Sequence, residues 1–254
     1  MKNLYIEGIQ GAGKSTLTNT LARKYPEYTV CREGDYNPVE LAWCTYMDKA
    51  DYEAVLLRYP SMVEEIKAHT TVEGDKYIVT YTRILTDEPG FHKDLENYEI
   101  YNGRKAAEEL KQIVLSRHAA FRGEGYIFEC SFFQNVMEDL ILFQQLSDDE
   151  IVEFYKQLFD QVDKEHFKLI YLYSEDIAEN IRVIRKERSD NAGNEMWYPL
   201  MLGFLVNCPY GKAHGYKDFE DLISHFEHRQ RLEMRIINEV IGDNAEIIKS
   251  KSEY

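Results

Sequence analysis

Five short apolar segments, separated by stretches with helical periodicity, dominate the pattern of hydrophobic and polar positions along this chain. Short runs of this kind predict buried β-strands, and their alternation with helices is typical of an α/β protein. The predicted strands span residues 4–7, 28–32, 126–130, 168–173 and 245–249. We therefore predict a five-stranded parallel sheet with helices on both faces.

Helix signals are clearest in the second half of the chain. Ser147 opens an S-x-x-E capping box ahead of apolar residues at helical spacing. Ser174 is predicted to cap a helix that begins at Glu175. A long amphipathic helix is predicted at about 218–240, before the last strand.

The first predicted strand runs directly into a phosphate-binding pattern, G-x-x-x-x-G-K-[ST], which is followed by a helical segment at 16–24. Backbone N–H groups of such a loop, together with the positive end of the helix dipole, bind phosphate oxygens. Lys14 is predicted to reach the β- and γ-phosphates and Ser15 to ligate Mg²⁺. We expect a nucleoside triphosphate, ATP, on the loop residues Gly8, Gln10, Gly11, Ala12, Gly13, Lys14 and Ser15.

A stretch of more than ninety residues separates the second and third predicted strands, far more than one crossover needs. Helical patterns occupy about 38–50, 51–69 and 104–122, and an alternating pattern at 76–85 predicts an extra strand. We predict one domain, residues 1–254, that carries a mostly helical insertion at about 36–122. An insertion in this position is expected to cover the acceptor substrate; a packing surface or a homodimer interface is the alternative.

The composition of the chain limits the classes of partner that it is expected to bind. The net charge of −15 argues against nucleic acid, whose binding depends on Lys and Arg neutralising phosphates. No apolar run approaches the roughly 20 residues of a membrane span, and the four cysteines lack zinc or disulfide spacing. Because the chain enters its first strand at once, no signal peptide is expected. We expect a cytoplasmic protein that binds a small molecule.

Two acidic residues lie at predicted strand ends, where ligands bind in open α/β sheets. Glu7 directly precedes the loop and is placed to act as a general base towards an acceptor hydroxyl. The alternative is an acid held by a neighbouring Lys or Arg. Glu129 ends the third strand and is a candidate Mg²⁺ ligand, unless it is a strand-end acid without function.

Basic residues are concentrated after the fourth predicted strand. Arg182, Arg185 and Arg188 share one helix face ahead of a polar loop. Guanidinium groups suit phosphate recognition and can neutralise charge during phosphoryl transfer. We predict a lid at about 180–195, with a solvated basic face as the alternative. Arg32 and Glu33 end the second strand and are candidate acceptor contacts, although an exposed turn also explains them.

The segment from Tyr5 to Thr16 resembles the I-E-G-x-x-G-x-G-K-[ST]-T opening of the deoxynucleoside kinase and thymidylate kinase branch of the P-loop kinases. The resemblance implies a three-layer P-loop NTPase fold, adds Thr16 to the nucleotide-binding residues and makes Glu7 the base. It also implies a magnesium role for Glu129 and a lid role for the basic helix. Cys130 departs from the pattern, because it stands where the family carries an arginine that touches phosphate or acceptor.

These patterns predict an ATP- and Mg²⁺-dependent phosphotransferase. Its acceptor is expected to be a hydroxyl or phosphate of a nucleoside, nucleotide or similar metabolite. An antibiotic-modifying phosphotransferase is the near alternative. A nucleotide-dependent regulatory ATPase with a protein partner belongs to a different class, and Glu7 and the lid arginines argue against it.

Overall fold

The computed structural model of this chain describes residues 1–251 and divides it into two compact units. The first unit joins residues 1–30 to the chain from Arg122 onward, and the second comprises residues 31–121. The second unit therefore overlaps the insertion predicted at about 36–122.

Parallel strands form the central sheet of an α/β architecture flanked by helices, as the sequence predicts. The strand order in this sheet is β2-β5-β1-β6-β7, and β3 and β4 form a separate antiparallel pair. The strands are β1 (Asn3–Gly8), β2 (Thr29–Cys31), β3 (Thr70–Glu73), β4 (Lys76–Val79), β5 (Tyr126–Glu129), β6 (Phe167–Tyr173) and β7 (Ala245–Lys249).

The helices follow the strands in the alternation expected of parallel crossovers. They are α1 (Lys14–Lys24), α2 (Lys49–Arg58), α3 (Val63–Ala68), α4 (Phe91–Leu95), α5 (Ala107–Ala120), α6 (Gln134–Leu142), α7 (Asp148–Gln161), α8 (Ile177–Glu187), α9 (Trp197–Asn207), α10 (Pro209–His214) and α11 (Phe219–Ile236). A π-helical turn, Ile237–Ile241, extends α11. Within residues 1–251, none of these helices is long and apolar enough to cross a membrane.

The central position of β1 brings distant parts of the chain to one edge of the sheet. Its parallel register pairs Ile6 with Glu129 of β5, and Glu7 with Tyr171 of β6. Because the carboxyl ends of parallel strands share an edge, the loop after β1 and Glu129 at the end of β5 lie at the same edge.

Aromatic packing holds the sheet of the first unit. The Tyr5 ring lies 4.8 Å from Phe128 and 4.6 Å from Phe167, centroid to centroid. Phe132 packs edge-on against Tyr5, and Tyr155 of α7 donates a hydrogen bond to the Phe132 carbonyl at 3.1 Å. These contacts tie α7 to the centre of the sheet.

The second unit has a core of its own. Buried residues from α2, α3, β4 and α4 form it, including Val55, Ile66, Val79 and Phe91. The β3–β4 hairpin closes over two residues, with Gly74 at φ 59°.

The helix predicted at 38–50 is wrong, because side chains there satisfy the backbone in a loop. The Asn37 Oδ1 accepts hydrogen bonds from the N–H groups of Val39 at 3.0 Å and Glu40 at 3.2 Å. The Glu40 carboxylate accepts another from the Ala42 N–H at 2.6 Å. Such local bonds compete with helix formation, so α2 begins only at Lys49, capped by Asp48.

Three other predicted elements are shorter or interrupted. The helix predicted at 51–69 breaks at Pro60, whose ring is incompatible with the interior of a helix. The strand predicted at 76–85 ends at Val79, before a 3₁₀ turn. The long helix predicted at 218–240 changes to π geometry at Ile237.

Capping is confirmed at α7 and wrong at α8. Ser147 forms the predicted capping box with Glu150. At α8 the cap is Asp176, whose side chain accepts from the Glu179 N–H at 2.8 Å. The Ser174 N–H instead donates to the side chain of Gln230 in α11 at 2.9 Å, a long-range contact.

Asp218 caps α11 in a box with Asp221. We expect Asp218→Ala to lower the free energy of unfolding by about 1 kcal/mol, because two first-turn N–H groups lose their acceptor. Thermal unfolding measured by circular dichroism should show a midpoint lower by roughly 2–4 °C. Asp218→Asn is the matched control and should retain most of the stability; an equal loss in both variants would contradict the capping role.

Candidate nucleotide-binding site

The loop between β1 and α1 leaves the start of the helix open to a ligand. Gly13, the residue before α1, has φ 98° and makes no side-chain cap, so it offers the first N–H groups of α1 no capping acceptor. Gly11 has φ 77°, a left-handed conformation that favours glycine, and a Cβ atom there would also lie 2.1 Å from the end of the Ile184 side chain of α8. The N–H groups at the start of α1 and the helix dipole suit an anion.

Lys14 folds back over the loop in this structure. Its Nζ donates to the carbonyls of Gly8 at 2.8 Å and Ile9 at 2.9 Å. The ammonium group is largely buried, and these two carbonyls supply the polar partners that a buried cation requires. To bind a phosphate, Lys14 has to exchange these carbonyls for phosphate oxygens.

The two predicted Mg²⁺ ligands are in direct contact. The Ser15 hydroxyl donates to Oε1 of Glu129, although 114 residues separate them along the chain. Glu129 is buried and Ser15 is exposed, so this pair lies at the mouth of the loop. A hydroxyl and a carboxylate are oxygen ligands of the kind that Mg²⁺ prefers, and the pair fits that ion.

Glu7 is fully buried, and only one of its two carboxylate oxygens accepts a hydrogen bond from the described residues. Its Oε1 accepts from the Phe132 N–H at 2.6 Å, whereas Oε2 has no hydrogen-bond partner among the described residues. Burial raises the pKa of Glu7 from 4.5 to about 7 against the opposing bond from Phe132, and the Glu233 carboxylate also raises it. A carboxyl with this pKa can both accept and release a proton near neutrality.

Cys130 follows Glu129 in a strained backbone turn. Its φ is 59°, and its N–H donates to the Ile6 carbonyl at 3.1 Å. The thiol is buried, so the position has a small buried side chain where the family's pattern has an arginine.

Arg185 in the predicted lid already has a carboxylate partner. Its Nε and Nη2 bond the two oxygens of Glu195 at 2.9 and 3.0 Å. The guanidinium also lies 3.9 Å from the Tyr198 ring centroid. This bidentate geometry is the one that a phosphate would use.

The other two lid arginines are exposed and lie over aromatic rings. The Arg182 guanidinium is 5.6 Å from the centroid of Phe219, and that of Arg188 is 5.7 Å from Trp197. Cation–π contacts of this length hold a guanidinium in place without removing it from solvent.

Arg32 and Glu33 belong to a turn of the second unit. The Arg32 N–H donates to the Asp35 carboxylate at 3.0 Å, and Glu33 accepts from the Trp43 indole N–H at 3.0 Å. Arg83 closes the turn by donating to the Glu33 carbonyl at 3.0 Å. The described contacts of both residues are thus those of an ordered turn.

Sequence reasoning missed the most buried cation of the site, Arg229 in α11. Its Nη1 donates to the Gln10 side chain at 2.8 Å and to Glu138 of α6 at 2.6 Å. Its Nε donates to Glu233 at 2.7 Å. An arginine on a long amphipathic helix does not by itself indicate contact with a distant loop. The one available signal in the sequence is that Arg229 lies on the apolar face of α11.

The ionisable groups around Arg229 are paired with one another. Although burial opposes ionisation, His225 and Arg229 lower the pKa of Glu138 to about 2. His225 bonds Glu138 at 2.8 Å, and the Tyr171 hydroxyl bonds Glu233 at 2.6 Å. Every charge in the cluster therefore has a partner, as burial requires.

No protein-family model matches the chain, and no curated protein matches it. The resemblance to the deoxynucleoside kinase branch rests on the motif residues alone.

Glu7 gives stability a distinctive pH dependence. Below the unfolded-state pKa of 4.5 the group is protonated in both states; between pH 4.5 and 7 only the unfolded chain ionises, so stability falls as the pH rises. We expect Glu7→Gln to be more stable than the wild type above pH 7, by on the order of 3 kcal/mol. The difference should shrink towards pH 4.5.

Thermal unfolding of both proteins between pH 4.5 and 8.5 measures this difference. Glu153→Gln, on the exposed face of α7, is the control and should show no such trend. A Glu7→Gln advantage that does not grow with pH would rule out the raised pKa.

Proposed function

We propose that this chain has a P-loop NTPase fold and is an ATP- and Mg²⁺-dependent phosphotransferase acting on a small acceptor. The observation that carries the proposal is Glu7, which directly precedes a predicted phosphate-binding loop. It is a buried carboxyl with one oxygen that has no hydrogen-bond partner within residues 1–251. A nucleotide switch has no need of a proton acceptor there, whereas a transferase does.

Each residue then has a definite task. The N–H groups at the start of α1 and the Lys14 ammonium hold the β- and γ-phosphates. Ser15 and Glu129 hold Mg²⁺, which supplies charge neutralisation on the phosphates. Arg185 exchanges Glu195 for phosphate oxygens, and with Arg182 and Arg188 it offsets charge that develops during transfer.

The proton goes to Glu7. As the acceptor oxygen forms a bond to the γ-phosphorus, its O–H bond breaks and the proton moves to Glu7 Oε2, while the bond to ADP breaks. Because Oε2 is enclosed in this structure, the acceptor hydroxyl reaches it only after neighbouring groups move. Arg32 and Glu33 are the candidate contacts for the acceptor.

Phosphoryl transfer is tested directly by incubating the chain with Mg·ATP and pooled acceptors. Nucleosides, nucleotides, aminoglycosides and other polyols form separate pools, and mass spectrometry detects products heavier by one phosphoryl group. We expect a product from the nucleoside or nucleotide pool; one from the aminoglycoside pool would instead identify an antibiotic-modifying enzyme.

Two variants locate the chemistry. Lys14→Ala should abolish tight ATP binding, because the loop loses its only side-chain cation for the phosphates, while Glu7→Gln should bind ATP normally and lose at least about 10²-fold in transfer. If no pool yields a product and ATP is merely hydrolysed slowly, the chain is a regulatory ATPase and the kinase proposal fails. Full transfer by Glu7→Gln would remove Glu7 as the base.

The pH profile of transfer follows from the same carboxyl. The base must be ionised in the free enzyme, so kcat/KM should rise about tenfold per pH unit below 7 and level off above it. Initial rates between pH 5.5 and 9 at saturating Mg²⁺ measure this, and the residual activity of Glu7→Gln should lack the acidic limb. A flat wild-type profile would contradict the assignment.

A further inference from the structure

Arg229 has contacts that a core ion pair does not require. Two of its bonds go to the carboxylates of Glu138 and Glu233, which suffice to neutralise it. The other two go to the phosphate-binding loop: to the Gln10 side chain at 2.8 Å and to the Gly8 carbonyl at 3.3 Å. One planar guanidinium thus joins helices α6 and α11 to the loop.

The Gly8 carbonyl accepts from both Arg229 and Lys14. When Lys14 turns to a phosphate it abandons this buried carbonyl, and a buried acceptor without a donor is costly. Arg229 remains as the donor. The Ile9 carbonyl, the other acceptor for Lys14, likewise keeps a bond from the Ala12 N–H at 3.2 Å. The loop can therefore release Lys14 without leaving either carbonyl unpaired.

We propose that Arg229 is a positioning residue for nucleotide binding: it holds Gly8 and Gln10 in place so that Lys14 is free to bind phosphate. This inference rests on the nucleotide site of the proposed function and adds a determinant that lies 219 residues from Gln10 along the chain. It does not depend on the identity of the acceptor.

The test compares conservative variants by their affinity for Mg·ATP, measured by isothermal titration calorimetry without acceptor. Arg229→Lys keeps the charge between Glu138 and Glu233 but cannot also reach the loop with a planar fork. We expect its affinity to fall about tenfold or more, since charge-assisted bonds to the loop are lost. Arg231→Lys, an exposed site on the same helix, is the matched control and should bind as the wild type does.

A double-mutant cycle separates positioning from general stability. Gln10→Ala removes the loop's side-chain acceptor and leaves the buried carboxylates paired, so it should fold normally and bind ATP several-fold more weakly. Because Gln10→Ala removes a contact that Arg229→Lys has already lost, the double variant should bind little worse than Arg229→Lys alone. A purely structural effect of Arg229 would be additive with Gln10→Ala.

The outcomes distinguish this inference from the proposed function. Wild-type affinity in a folded Arg229→Lys, or additive losses in the cycle, would overturn the positioning role while leaving the phosphotransferase proposal intact. A wild-type chain that binds ATP and shows the coupling but transfers no phosphoryl group would overturn only the kinase proposal. A wild-type chain that binds no Mg·ATP would overturn both.

Discussion

Arg229 must keep its charge where water is excluded, and this requirement constrains four elements of the first unit. Glu138 in α6 and Glu233 in α11 neutralise the guanidinium, and Tyr171 in β6 satisfies Glu233 in turn. The loop after β1 supplies the remaining acceptors. Removing Arg229 would leave two buried carboxylates without their shared cation, which costs far more than the ion pairs themselves contribute. The hydrogen bonds that hold the loop therefore come from an arginine on which the stability of the first unit also depends.

The same network sets the electrostatics around Glu7. Glu7 lies in a strand paired with that of Tyr171, and the negative charge of Glu233 adds to burial in raising its pKa. The pKa of Glu7 therefore lies near 7 for two reasons. The strand order buries the carboxyl beside the loop, and α11 places the Glu233 carboxylate near it. Structural stability and candidate chemistry share residues here, as is common where burial shifts an ionisable group.

Local signals predicted the framework well. The five strands, the loop after β1 and the capping box at Ser147 depend on residues within a few positions of one another. Predictions failed where local rules compete. Asn37 and Glu40 bond the nearby backbone and prevent a helix. At α8 the cap is Asp176, and the Ser174 hydroxyl instead accepts a hydrogen bond from the side chain of Asn180. The spacing of hydrophobic residues does not reveal such competing hydrogen bonds.

The sequence by itself determined the α/β alternation, the phosphate-binding pattern and the candidate residues Glu7, Lys14, Ser15 and Glu129, because each depends on short-range spacing. Only the tertiary structure decided that Ser15 contacts Glu129 and that Arg229 donates a hydrogen bond to the loop. It also decided that Glu7 is buried with one oxygen lacking a partner among residues 1–251. These contacts join residues more than a hundred positions apart. They depend on which strands become neighbours and on which helix face is buried. The spacing of residues within one segment determines neither.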